Sequence, residues 1–150
     1  CDLGNWYAEN GFPQMYLRTF PETIMTNRFI HDERADYKLQ LNYAFVMGYR
    51  FDVSIYRGRV IGIDGMSGYA AHIKKLIDLK DKYHRFFYEG KFVVNTIYPL
   101  PENIIMTEYE YEDETLLVFM NKSHTPCTFE VPGRIISLEG DDVYCMLKLR

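Results

Sequence analysis

Tryptophan occurs once in this chain of 150 residues and cysteine three times, and no apolar run is long. Each scarcity removes a class of protein. A helix that crosses a bilayer needs about 20 consecutive apolar residues, so no membrane-spanning helix and no membrane partner is expected. Cys1, Cys127 and Cys145 contain no metal-spaced pair, and their odd number gives no complete disulfide framework. Cys127 and Cys145 can pair across a small sheet or remain buried thiols. Positive charge is not in excess. The 17 Lys and Arg against 21 Asp and Glu leave −4, which argues against a nucleic-acid partner, because such modules carry a basic stripe. His31, His72, His84 and His124 are scattered without metal-ligand spacing. No Ser–His–Asp order, phosphate-binding glycine loop or Walker motif occurs. No metal and no cofactor is expected. No signal peptide is visible. The chain opens on Cys1 rather than Met, so a piece of a longer protein is expected, with an N-terminal part of the same chain as its partner.

Aromatic residues are plentiful instead, with 13 Tyr and 10 Phe. They read as half-buried packing or as platforms for a flat ligand such as a sugar. The most informative pattern is a repeat. Residues 22–27 (ETIMTN) form a short apolar run, residues 28–34 (RFIHDER) a polar cluster, and residues 35–47 a helical pattern. Residues 49–55 (YRFDVSI), 56–67 and 68–89 repeat that order. Strand, polar loop and amphipathic helix in succession are the grammar of parallel βα units. Tyr37, Leu41, Ala44, Phe45 and Gly48 share one side of the first helix. Asp32 and Glu33 charge its start and Gly48 ends it. In the second helix Tyr69, Ile73, Leu76, Ile77, Tyr83 and Phe87 make the apolar stripe, Ser67 is placed to cap the start and Gly90 to end it.

The grammar changes near Lys91. Residues 95–103 read as a proline-bearing linker. Period-two runs follow at 104–111, 115–120, 127–131 and 143–149, separated by turn sequences, and describe a small antiparallel sandwich. Glu108, Glu110 and Glu112 alternate with Tyr109 and Tyr111 as a solvated face, or as a calcium site. The expected architecture is therefore α/β plus all-β, with residues 1–93 as βα units and residues 94–150 as an antiparallel β-domain.

The segments YLRTFPE (16–22), TNR (26–28), LNYAFVMGYRFD (41–52) and YHRFFYEG (83–90) resemble the C-terminal part of TIM-barrel glycoside hydrolases. They are most similar to an uncharacterised bacterial family of that type, the DUF6259 group, over residues 2–131. The resemblance implies the last βα units of a (β/α)8 barrel followed by a β-sandwich. It implies a carbohydrate substrate, hydrolysed in the intact parent by paired carboxylates, with this fragment alone inactive. The alternative is a non-catalytic carbohydrate-binding or structural and interaction fragment.

Asp52 and Asp32 are the candidate catalytic carboxylates. Asp32 and Glu33 also read as charge at a helix N-terminus, and Asp52 as the partner of Arg50, Arg57 or Arg59. Asn27, Arg28, Glu33, Tyr56, Arg57 and Trp6 are candidate substrate-binding residues. Asn27 and Arg28 suit sugar hydroxyls, or pair with Asp32 or Asp52. Trp6 and Tyr56 suit a pyranose face, or pack internally. Parallel strands deliver their C-terminal ends to one side, so these residues are expected to converge there.

Overall fold

The computed structural model describes residues 17–31, 37–54, 65–93, 98–131 and 133–148. After a helical turn at 17–19 come strand β1 (Thr26–His31), helix α1 (Tyr37–Val46), strand β2 (Arg50–Ser54), helix α2 (Ser67–Lys82) and helix α3 (His84–Tyr88). Six further strands follow: β3 (Lys91–Val93), β4 (Ile104–Tyr111), β5 (Glu114–Asn121), β6 (Cys127–Val131), β7 (Arg134–Leu138) and β8 (Val143–Leu147).

Strands β1 and β2 pair in parallel, with Thr26 opposite Arg50 and Ile30 opposite Val53. Strands β3, β4, β5 and β8 form an antiparallel sheet in that order, and β6 and β7 form a separate antiparallel ribbon. The four-stranded sheet is covered on both faces. On one, Tyr109, Leu116, Val118, Met120, Val143 and Cys145 pack with Leu41 and Phe45 of α1, Leu76 of α2 and Phe86 and Phe87 of α3. On the other, Ile104, Leu117, Phe119 and Met146 pack on Phe129, Val131, Ile136 and Leu138 of the ribbon. Because both sides are covered, five successive β5 residues, Leu116, Leu117, Val118, Phe119 and Met120, are each no more than 1% exposed. Strong alternation appears only where one face meets water.

Helix α1 lies between the parallel ladder and the sheet, and every residue from Gln40 to Val46 is buried. Its end is fixed by a Schellman pair: the Tyr49 amide donates to the Ala44 carbonyl (2.8 Å) and the Gly48 amide to that of Phe45 (2.9 Å). Gly48 takes φ +70°, a conformation that costs an L residue a Cβ clash. The Val46 carbonyl accepts from Thr107 Oγ1 and Tyr109 Oη, both at 2.6 Å, which ties the helix end to β4.

These elements correct the expected fold class. The described residues contain a single βαβ unit, β1–α1–β2, and no barrel repeats. The helices that follow β2 lead into β3, which joins an antiparallel sheet rather than continuing a parallel one. A local strand–loop–helix pattern fixes the direction of one pairing but carries no information about how many strands follow. The long helix expected at 68–89 divides at Tyr83, whose backbone (φ −110°, ψ 29°) leaves the helical range. That break lets Phe86 and Phe87 both turn into the core, at 1% and 5% exposure. Ser67 does not cap α2: Met66 occupies the cap position and no side chain bonds there. Glu108 is not on a solvated face. It is 1% exposed on β4, opposite Leu117, because the ribbon covers that side.

Candidate functional site

The expected convergence rests on β1 and β2. Strand β1 begins at Thr26, so Asn27 and Arg28 lie in its first half, whereas the sequence pattern places them at its end. Asn27 is in register with Phe51, and Asp52 is the next residue of β2. The backbone therefore sets Asn27 and Asp52 one step apart on neighbouring strands, beside an irregularity in the pairing between Asn27 and Ile30. Asp32, Glu33, Tyr56, Arg57 and Trp6 lie outside the described residues. Among the described residues no three His, Cys, Asp or Glu side chains are grouped to hold a metal ion.

Three other places concentrate chemistry. The first is a polar hub on the turn between β7 and β8. Asn42, fully buried in α1, donates from Nδ2 to the Asp141 carbonyl at 2.7 Å. Its Oδ1 is 2.7 Å from His72 Nε2 on α2. Lys75 Nζ bonds both Asp142 carboxylate oxygens, at 2.5 and 2.6 Å, and His124 Nδ1 is 2.7 Å from Asp141 Oδ2. Beside it, buried Asn121 donates to the carbonyls of Thr125 (2.8 Å), Glu139 (3.1 Å) and Leu138 (3.3 Å). Asp141 is in the left-handed region, φ +53°. Burial pushes the His72 imidazolium down from the ordinary histidine range, and nearby Asp142 partly offsets it.

The second place is Lys80, 3% exposed near the end of α2. Its amine donates to the Tyr49 carbonyl and lies over the rings of Phe51 (4.7 Å), Phe87 (5.6 Å) and Tyr88 (5.7 Å). Loss of solvation lowers its pKa to about 8. An ammonium this deep is retained only where a carbonyl and aromatic faces replace water.

The third is a groove of about 660 Å³ between residues 98–101 and the edge of β6. Tyr98, Pro99, Leu100 and Pro101 form one wall, and Phe129, Glu130 and Val131 the other. Phe129 and Val131 are buried beneath it, Tyr98 and Leu100 are half-buried, and Glu130 is exposed. Pro99 and Pro101 bring no N–H to this wall. The result is an apolar floor with an aromatic ring on one side and a carboxylate on the other. Sequence reading takes residues 95–103 as a linker. The signal it passes over is YPLP, apolar and aromatic residues in a stretch that a solvated linker would leave polar.

No family model, no curated protein and no solved structure matches this chain.

Proposed function

We propose that this chain is a non-catalytic carbohydrate-binding module, with the groove between Tyr98 and Glu130 as its binding surface. The observation that carries the reading is the groove itself. Its volume of about 660 Å³ falls in the range of small-molecule sites, roughly 300–1,000 Å³. A pyranose presents an apolar C–H face and a rim of hydroxyls. Tyr98 offers a ring for the first, and Glu130 and the Tyr98 hydroxyl offer hydrogen-bond groups for the second. Glycoside hydrolysis in its usual form needs two carboxyl groups about the scissile bond. Glu130 is the only carboxylate among the described lining residues, which favours binding over bond cleavage.

Affinity electrophoresis through gels containing neutral polysaccharides tests the proposal. Retardation by at least one polysaccharide is expected, and Tyr98→Ala should weaken it about tenfold, the order found for truncating a central aromatic anchor. Glu130→Gln should weaken it less, because an amide still hydrogen-bonds hydroxyls. Retardation unchanged by Tyr98→Ala would remove the groove from the function.

A further inference from the structure

One wall of the groove is a pre-shaped piece of chain. The Leu100 amide donates to the Tyr98 carbonyl at 2.9 Å, and the Ile104 amide to that of Pro101, also at 2.9 Å. The first bond closes a tight turn about Pro99 and the second a β-turn that starts at Pro101. Proline fixes φ at both residues, so this stretch holds its own curvature. What it needs from the rest of the fold is a position. Tyr98 and Leu100 pack on the cluster that contains Phe129 and Val131, but apolar attraction is non-directional. Asn103, in the second turn, supplies directional bonds.

Asn121 sets the orientation of the Asn103 amide. Asn121 Nδ2 faces the carbonyls of Thr125, Leu138 and Glu139, so its Oδ1 is turned to Asn103. Only a donor fits there. Asn103 Nδ2 is therefore the atom 3.0 Å from Asn121 Oδ1, and it also donates to Ser123 Oγ at 3.2 Å. The Asn103 carbonyl accepts from the Lys122 amide at 2.9 Å. Asn103 Oδ1 is left for the Cys127 thiol, whose Sγ is 3.8 Å away. Cys127 opens β6, the strand that carries Phe129, Glu130 and Val131. It pairs with Leu138, whose carbonyl Asn121 holds. One half-buried amide thus ties the first wall to the end of β5 and meets the first residue of the strand that forms the second.

We infer that Asn103 is the positioning residue of the groove: it fixes the separation of the Tyr98–Pro101 wall from β6, and through that separation the affinity for ligand, without lining the groove itself. A wall held in place beforehand spares the ligand the cost of ordering it. The effect on affinity rests on the carbohydrate reading of the groove, whereas the placement of the wall does not. Release of the wall uncovers Cys127, a half-buried free thiol, while Cys145, 8% exposed within the sheet, stays covered. The two thiols therefore separate local opening from a general loss of stability.

The test compares whole chains: wild type, Asn103→Ala, and Gly48→Ala as a destabilising change at the joint between α1 and β4. Each is labelled with iodoacetamide, and the rates at Cys127 and Cys145 are read separately by peptide mass spectrometry. Asn103→Ala should speed Cys127 about tenfold, the equivalent of one or two net hydrogen bonds, and leave Cys145 at its wild-type rate. Gly48→Ala should not speed Cys127 over Cys145. Ser123→Ala removes one acceptor of the Asn103 amide; it should act in the same direction as Asn103→Ala but more weakly, and it replaces that variant if the latter does not fold. Titration with a neutral oligosaccharide of a polysaccharide that retards the wild type should show about tenfold weaker binding by Asn103→Ala and unchanged binding by Gly48→Ala. Equal acceleration of both thiols in Asn103→Ala overturns the inference. So does a Cys127 rate that neither Asn103→Ala nor Ser123→Ala raises, or undiminished affinity in a variant whose Cys127 is released. A wild-type chain that binds no neutral oligosaccharide overturns the carbohydrate reading instead, and selective release of Cys127 then still upholds Asn103 as the joint of the wall.

Discussion

Replacing Lys80 by Met should remove a pH dependence that wild-type stability carries into the alkaline range. Lys80 is 3% exposed, and burial lowers its pKa from 10.5 to about 8. The unfolded chain therefore holds this proton more tightly than the folded one. Stability contributed through Lys80 is least at neutral pH and rises between about pH 8 and 10.5. A gap of about 2.5 pH units corresponds to about 3 kcal/mol against folding at neutral pH, at roughly 1.4 kcal/mol per unit. From about pH 7 to about pH 9.5 the recovered part is about 2 kcal/mol. Other groups act in the opposite direction. Burial raises Cys145 and Tyr43 to about 12 and Tyr109 well above the ordinary tyrosine range. Their folded pKa values exceed the unfolded ones, so stability falls as pH climbs past about 9. The wild-type curve is the sum of both trends, and the difference between proteins isolates Lys80. Methionine keeps the packed stem but leaves the Tyr49 carbonyl without this donor, a loss of about 1–3 kcal/mol. The two proteins should thus be within about 2 kcal/mol of each other at pH 7. The variant should lose about 2 kcal/mol relative to wild type by about pH 9.5. Urea unfolding at the two pH values measures this. A wild-type-minus-variant difference that stays flat across the range refutes the assignment of a depressed pKa to Lys80.

Two substitutions test the joints between layers. Gly48→Ala places a methyl 2.8 Å from the Tyr109 hydroxyl at φ +70°. It should cost about 2–4 kcal/mol by chemical denaturation, combining left-handed strain with displacement of a buried hydroxyl, and Tyr109→Phe in the same chain should recover part of that cost. Asn121→Ala removes a side chain of 0% exposure that serves three backbone carbonyls and accepts from Ser123 and Asn103. A loss of about 2–4 kcal/mol is expected, read as a lowered urea midpoint, with the 123–125 and 139–142 turns losing hydrogen-exchange protection first.

The sequence is most legible where one kind of pattern dominates. Strands β4 and β6 begin and end where period-two runs place them, and α1 emerges from its apolar stripe although its other side is buried too. Two strands escape pattern reading. Strand β3 is only three residues long, Lys91–Val93, too short to show a period. Strand β7, RIISL, sits between two turn sequences and exposes Ile135 at 73%, so its run does not alternate cleanly. The barrel expectation fails for a different reason. Strand count and sheet closure are set by long-range pairing, and a βα repeat is also the form of a single βαβ unit. Of the site, Asn27 and Asp52 are adjacent through backbone register. His72 reads as one of four scattered histidines. Its signal is on the other helix: Asn42 is a polar residue within LQLNYAFV, and a buried amide must find partners. The groove is hidden because its walls, residues 98–101 and β6, are separated by β4 and β5 and meet only in the folded chain.

The central claim, that the Tyr98–Glu130 groove binds carbohydrate, is tested most directly by mapping backbone amide shifts during titration with a soluble neutral oligosaccharide of a polysaccharide that retards the chain. The account predicts saturable movement of the Leu100, Phe129, Glu130 and Val131 amides with one shared dissociation constant, abolished by Tyr98→Ala in a chain whose remaining amides are unmoved. Saturable binding that leaves those four amides in place, or their indifference to every neutral oligosaccharide tried, would contradict it.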